Sequence, residues 1–201
     1  MKILLVGATG TIGTAVAQAL EARHEVLRAS HSRSPLAVDL ADPESIRRLY
    51  SQVGRVDAVV SVAGQAAFRP LLALTDADFA LSLANKLMGQ VNLVRLGADA
   101  VADGGSFTLT SGILSRQPMA GAAAISMVNA GLEGFARGAA LELPRGIRIN
   151  AISPGWVRET LVAMKMDPAP GTPAAVVARS YVEAVEGRMT GQVFDALQPA
   201  G

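Results

Sequence analysis

The residues best placed to do chemistry form a glycine-spaced loop, Gly7-Ala8-Thr9-Gly10-Thr11-Ile12-Gly13, between the apolar run Ile3-Leu4-Leu5-Val6 and the helix-forming Thr14-Ala15-Val16-Ala17-Gln18-Ala19-Leu20. Glycine permits a tight turn, lets backbone N–H groups approach a pyrophosphate at a helix N-terminus, and allows close helix-to-sheet packing. The same spacing also suits a plain strand-to-helix turn without a ligand. Other chemistries lack raw material. There is no cysteine, which removes disulfides, thiolate zinc sites and cysteine nucleophiles. The two histidines, His24 and His31, lie close together near the start, so no His-based triad can be assembled elsewhere. No metal site is expected.

The loop needs a scaffold to hold it. With 201 residues, 50% hydrophobic and 17% charged, the chain reads as one domain over 1–201. Eighteen basic against seventeen acidic residues, with 4% aromatics, argue against a nucleic-acid groove. The N-terminal apolar run is too short for a signal peptide or a spanning helix, so a cytoplasmic protein without membrane contact is expected. Strands are predicted at Lys2 to Val6, Glu25 to Ala29, Leu36 to Asp39, Ala58 to Val62, Ser106 to Thr110, Arg148 to Ser153 and Gln192 to Asp195. Helices are predicted from near Thr11, from around Pro43, as a long pair over Asp76 to Ala102, across Ala122 to Leu143, and from Pro173 to Val185. Asp42-Pro43 and Thr75-Asp76 are helix starts, and Asp103-Gly104-Gly105 reads as the stop of the long pair. Alternating strand and helix give an α/β fold with a parallel sheet. Met164 to Pro173 is the one proline-rich stretch, either a surface turn or a lid.

From the glycine loop onward the chain resembles the short-chain dehydrogenase/reductase family, over nearly its whole length. Val38-Asp39-Leu40 resembles the short third strand, whose aspartate sits by the adenine, and Ser61-Val62-Ala63-Gly64 resembles the end of the fourth. Leu109-Thr110-Ser111-Gly112 resembles the end of the fifth strand, which carries the active-site serine. Gly146-Ile147-Arg148-Ile149-Asn150-Ala151-Ile152-Ser153-Pro154-Gly155-Trp156-Val157 closely matches the sixth strand and the Pro-Gly turn that meets the nicotinamide. The resemblance implies a doubly wound Rossmann-type sheet of order 3-2-1-4-5-6-7 with a dinucleotide across the strand ends. Gly7, Thr9, Gly10, Thr11, Ile12, Gly13, Asp39, Leu40, Ala63, Gly64, Pro154, Gly155, Trp156 and Val157 are then its binding positions.

The choice of dinucleotide can be argued chemically. NAD-selective sites place Asp or Glu about 20 residues beyond the glycines, where it binds the ribose hydroxyls. Here the chain reads Arg28-Ala29-Ser30-His31-Ser32-Arg33. Ser30, His31, Ser32 and Arg33 offer hydroxyls and positive charge to a 2′-phosphate, with no carboxylate to repel it, so NADP(H) is expected over NAD(H). A solvated surface loop is the alternative.

The resemblance breaks at the acid/base pair. The family uses a tyrosine and a lysine four residues on. Aligning Asn129-Ala130-Gly131-Leu132-Glu133-Gly134-Phe135-Ala136-Arg137 with the family's helix puts Ile125 and Asn129 in those places, while counting from Ser111 gives Ala124 and Val128. Lys86, in Lys86-Leu87-Met88-Gly89, replaces the family's active-site asparagine. Lys86 could donate a proton or bind the nicotinamide ribose, or it could snorkel to solvent. Ser111 could polarise a carbonyl. These residues leave an NADP(H)-dependent oxidoreductase of small carbonyls or alcohols, with Ser111 and Lys86 catalytic, against an NADP(H)-binding sensor or regulator without turnover. A domain for another adenine ligand is a third reading. The resemblance also implies a homodimer through the helices Leu83 to Ala102 and Ala122 to Leu143.

Overall fold

A computed structural model describes residues 1–196. One parallel sheet of seven strands runs β3-β2-β1-β4-β5-β6-β7, the order expected. The strands are β1 (Lys2–Val6), β2 (Glu25–Ser30), β3 (Leu36–Ala37), β4 (Val56–Ser61), β5 (Val101–Thr110), β6 (Arg148–Pro154) and β7 (Val193–Ala196). The helices are α1 (Thr11–Glu21), α2 (Pro43–Val53), α3 (Asp76–Ser82), α4 (Gly89–Gly97), α5 (Ala123–Glu142), α6 (Arg158–Ala163) and α7 (Ala174–Glu186). Among the described residues, no helix is long and apolar enough to cross a membrane.

A parallel sheet buries both faces, which is why its strands read as near-continuous apolar runs. Alternation then assigns the side chains. Leu4 and Val6 join Val59, Phe107, Leu109 and Ile149 beneath α2, α4 and α5, where Leu49, Leu93 and Leu132 are buried. Ile3 and Leu5 join Val60 and Ile152 on the other face against α1 and α7, where Val16, Leu20, Val177 and Tyr181 are buried. Helix starts follow the local chemistry. Asp42 accepts from the N–H of Glu44 with Pro43 in the first turn, and Thr75 and Asp78 form a reciprocal capping box.

Three expectations are corrected. The third strand stops at Ala37, because the Asp39 carboxylate accepts the N–H of Ala41 and turns the chain. The long helical pair ends at Gly97 with one 3-10 turn to Ala100, and β5 opens at Val101. Asp103-Gly104-Gly105 therefore lies inside β5 and stops no helix. It absorbs a register shift opposite Val56 and Ala58, and the Gly104 N–H bonds the Arg145 carbonyl at 2.9 Å. The third correction is α6, which falls in a segment with no helix predicted. Its Glu159 caps α7 by accepting the Ala174 N–H at 2.9 Å, and Val157 pairs with Thr172 across the intervening turn.

Candidate active site

The strand order reverses between β1 and β4, and a crevice opens there along the carboxyl ends of the strands. The glycine loop forms its floor. Gly7 has a φ of +90° and lies so close to Ala63 that a Cβ would stand 2.9 Å from the alanine methyl. A Cβ on Gly13 would stand 2.0 Å from the Gly7 carbonyl oxygen, so only glycine lets α1 come this near the strand end. Gly10 caps α1 with no side-chain acceptor, leaving the helix's first N–H groups for an anion.

Two cavities share the backbone of Gly64. The first, about 430 Å³, is lined by Gly7, Ser30, His31, Asp39, Leu40 and Ala63, all candidates from the sequence. It is also lined by Asn85 and Gln65, which the sequence did not single out; the Asn85 carboxamide accepts the Gln65 N–H at 2.8 Å. At the rim, Arg33 donates to the Thr9 carbonyl at 3.2 Å, bringing its charge beside the glycine loop. Ser32 is exposed and lines neither cavity. Arg28 turns away. Its guanidinium makes two bonds to Glu21, at 2.7 and 2.6 Å, on the outer surface.

The second cavity, about 310 Å³, brings together Ile12, Lys86, Ser111, Pro154, Gly155, Trp156 and Val157 from four separate segments. Ile125, Asn129, Ile113, Leu114 and Thr160 complete a largely apolar wall. Lys86 sits in a π-helical turn, Leu83–Met88, between α3 and α4. Such turns shift helix register and recur at functional sites. Its Nζ ends 3.4 Å from the carbonyl oxygens of both Thr110 and Ser111, and burial lowers its pKa to about 8. Gln90, one turn on and fully buried, pairs with both the N–H and the C=O of Thr110, at 2.8 and 2.9 Å.

Asn129 donates to the Gly112 carbonyl at 3.4 Å, while its Oδ1 is buried with no hydrogen-bond partner. A buried orphan acceptor is costly unless a ligand donor reaches it. The Ser111 hydroxyl is 3.1 Å from Glu133 Oε1 and 3.2 Å from the Ile152 carbonyl. Glu133 was missed from sequence because nothing in its spacing relates it to β5. Both tyrosines lie elsewhere: Tyr50 donates to the Leu93 carbonyl at 2.6 Å, and Tyr181 bonds Thr110 Oγ1 at 2.7 Å. Burial raises the pKa of each. Among the described residues no group of three His, Asp or Glu side chains could hold a metal ion.

The residues present fit a nicotinamide dinucleotide: a cradle that a Cβ would fill, an uncapped helix start and an unpartnered buried amide oxygen on one crevice. Comparison with known proteins agrees. The sequence profile of the family described as "Enoyl-(Acyl carrier protein) reductase" matches residues 7–188. The chain is 32% identical over 160 residues to an uncharacterized oxidoreductase of Mycobacterium tuberculosis, covering 75% of this chain and 60% of that protein. It is 30% identical over 158 residues to L-xylulose reductase of Mus musculus, covering 76% of this chain and 64% of that protein. The chain thus spans about half to two thirds of the length of such relatives. Among solved structures, the protein lin1944 from Listeria innocua superposes with a TM-score of 0.94 at 44% identity, covering 97% of this chain and 98% of that one. A small-chain dehydrogenase in complex with NADPH superposes with a TM-score of 0.86 at 29% identity, covering 97% and 95%. The fold and the crevice define a Rossmann-type nicotinamide-binding protein. The chain belongs to the short-chain dehydrogenase/reductase family of oxidoreductases.

Proposed function

We propose that the chain is an NADP(H)-dependent oxidoreductase that moves hydride between the nicotinamide and a small carbonyl or alcohol. The carrying observation is that Lys86 and Asn129, whose buried Oδ1 has no partner among the described residues, line one largely apolar cavity together with the turn Pro154–Val157. When bound, the cofactor supplies or accepts the hydride. Lys86, an ammonium near neutral pH, donates to the oxygen that gains charge during carbonyl reduction, and the apolar walls exclude the water that would compete. Asn129 Oδ1 accepts a ribose hydroxyl. Ser111 orients the substrate.

The preference for NADP(H) rests on Arg33 beside the glycine loop and on Ser30 and His31 in the adjoining cavity, with no carboxylate at the carboxyl end of β2. The NADPH complex of the similar small-chain dehydrogenase supports this choice. Fluorescence titration with NADPH and NADH tests it: micromolar binding with a clear NADPH preference is expected, and failure to bind either sinks it. One observation favours a sensor without turnover, namely that neither tyrosine reaches the cavity. NADPH binding with no oxidation across a carbonyl panel would select that reading. We place the protein in the cytoplasm as a homodimer joined through α5, whose Met127, Gly134, Gly138 and Leu141 are exposed.

A further inference from the structure

Glu133 is a buried carboxylate, 4% exposed, one helical turn beyond Asn129 on α5. Its Oε1 lies 2.6 Å from the Ser115 hydroxyl and 3.1 Å from the Ser111 hydroxyl. Two cations face it. Arg137 stands 3.6 Å from Oε2 and is itself more than half exposed, while Arg116 is engaged by Asp195 and by Ser153. With its one ion pair this long, the carboxylate depends on the two hydroxyls for compensation of its burial.

Each hydroxyl has a single proton and a choice of acceptors. Ser111 can donate to Glu133 or to the Ile152 carbonyl at 3.2 Å, and Ser115 to Glu133 or to the Gly112 carbonyl at 3.0 Å. An ionised carboxylate is the stronger acceptor, and bonds to it are about twice as strong as neutral ones. Both protons therefore turn towards Oε1. What Ser111 offers the cavity it lines is then lone pairs, not a proton.

We propose that Glu133 is a positioning residue that fixes Ser111 as a hydrogen-bond acceptor. With Asn129 Oδ1 taken by the ribose, Lys86 is then the charged donor to a substrate oxygen and Ser111 Oγ is the acceptor beside it. A bare ketone satisfies only the donor. The ligand that satisfies the set brings an O–H beside its carbonyl oxygen, so the substrate class is α-hydroxy carbonyl compounds and the diols they become on reduction. The class rests on the nicotinamide-linked function proposed above; the polarity of Ser111 does not.

Joint X-ray and neutron diffraction from deuterated crystals at neutral pH tests the polarity without turnover. Deuterons on Ser111 and Ser115 pointing at Glu133 Oε1, with none on the carboxylate, are expected. A deuterated carboxyl, or a Ser111 deuteron aimed at Ile152 or into the cavity, overturns it. The class is tested by reducing hydroxyacetone and acetone with NADPH. Wild type is expected to favour hydroxyacetone at least tenfold in kcat/KM, and Glu133→Gln to narrow that ratio severalfold while the NADPH Kd stays within twofold. Equal rates, turnover of neither ketone with NADPH bound, or a Glu133→Gln enzyme indistinguishable from wild type overturns the class. Loss of NADPH binding in the wild type would instead strike the oxidoreductase reading and leave the neutron result standing.

Discussion

The backbone of Gly64 lies flat against the stem of Lys86: a Cβ there would stand 3.0 Å from both the Cα and the Cγ of the lysine. The lysine runs on to the end of β5, where its Nζ finds two carbonyl oxygens and, among the described residues, no carboxylate. An ammonium so placed costs stability, the kind of local conflict that the proposed role of Lys86 accounts for.

Replacing it exposes that conflict. The folded pKa of about 8 lies below the ordinary 10.5, so the ammonium penalises the fold fully below pH 8, and the penalty fades between the two values. Lys86→Met is expected to gain about 1–3 kcal/mol at pH 7 and to lose carbonyl reduction. Denaturation at pH 7 and at pH 11 checks this, and a gain that does not shrink at high pH would count against the assignment. In the wild type, reduction is expected to decline as pH rises through about 8.

Arg33 is the one arginine of the segment 28–33 whose charge reaches the glycine loop. Arg33→Ala should weaken NADPH about tenfold, roughly 1.4 kcal/mol, and leave NADH unchanged. Parallel titrations decide it. Arg28→Ala serves as the control, since Glu21 holds that side chain away from the site.

Gln90 is fully buried with both ends of its amide on the Thr110 backbone. Gln90→Leu would strand a buried N–H and a buried C=O, at a cost of about 2–4 kcal/mol. Chemical denaturation measures the loss. A cost under half a kcal/mol would mean that water or another side chain takes over.

Arg148 donates to the carbonyls of Ala184, Val185 and Met189 at 3.1, 3.0 and 3.3 Å, closing the end of α7 without a carboxylate partner. Arg148→Met is expected to lower stability by about 1–2 kcal/mol while leaving cofactor affinity unchanged. Paired melting and NADPH titration separate the two effects.

Gly138 faces open space on the exposed side of α5. If that face joins two copies, Gly138→Arg yields a monomer of undiminished stability, read by light scattering. An unchanged dimer would place the interface elsewhere.

Much of the fold was legible because its signals are local. Short, near-continuous apolar runs mark β1, β4 and β6, and Asp42-Pro43 and Thr75 mark helix starts by capping chemistry confined to a few residues. The glycine loop is of the same kind, its demand for close approach written in residue type. Tertiary packing settled the rest. Gly104-Gly105 reads as a helix stop until the shifted register of β4 and β5 draws it into a strand. Arg28 and Arg33 look equivalent until Glu21, on α1, claims the first. Lys86 meets Ser111 across 25 positions only because a π-helical turn redirects it, and Ser111 meets Glu133 across 22 only because α5 packs along β6 beside the end of β5. Local spacing decides which elements form, while the convergence of polar groups on one cavity depends on how those elements pack.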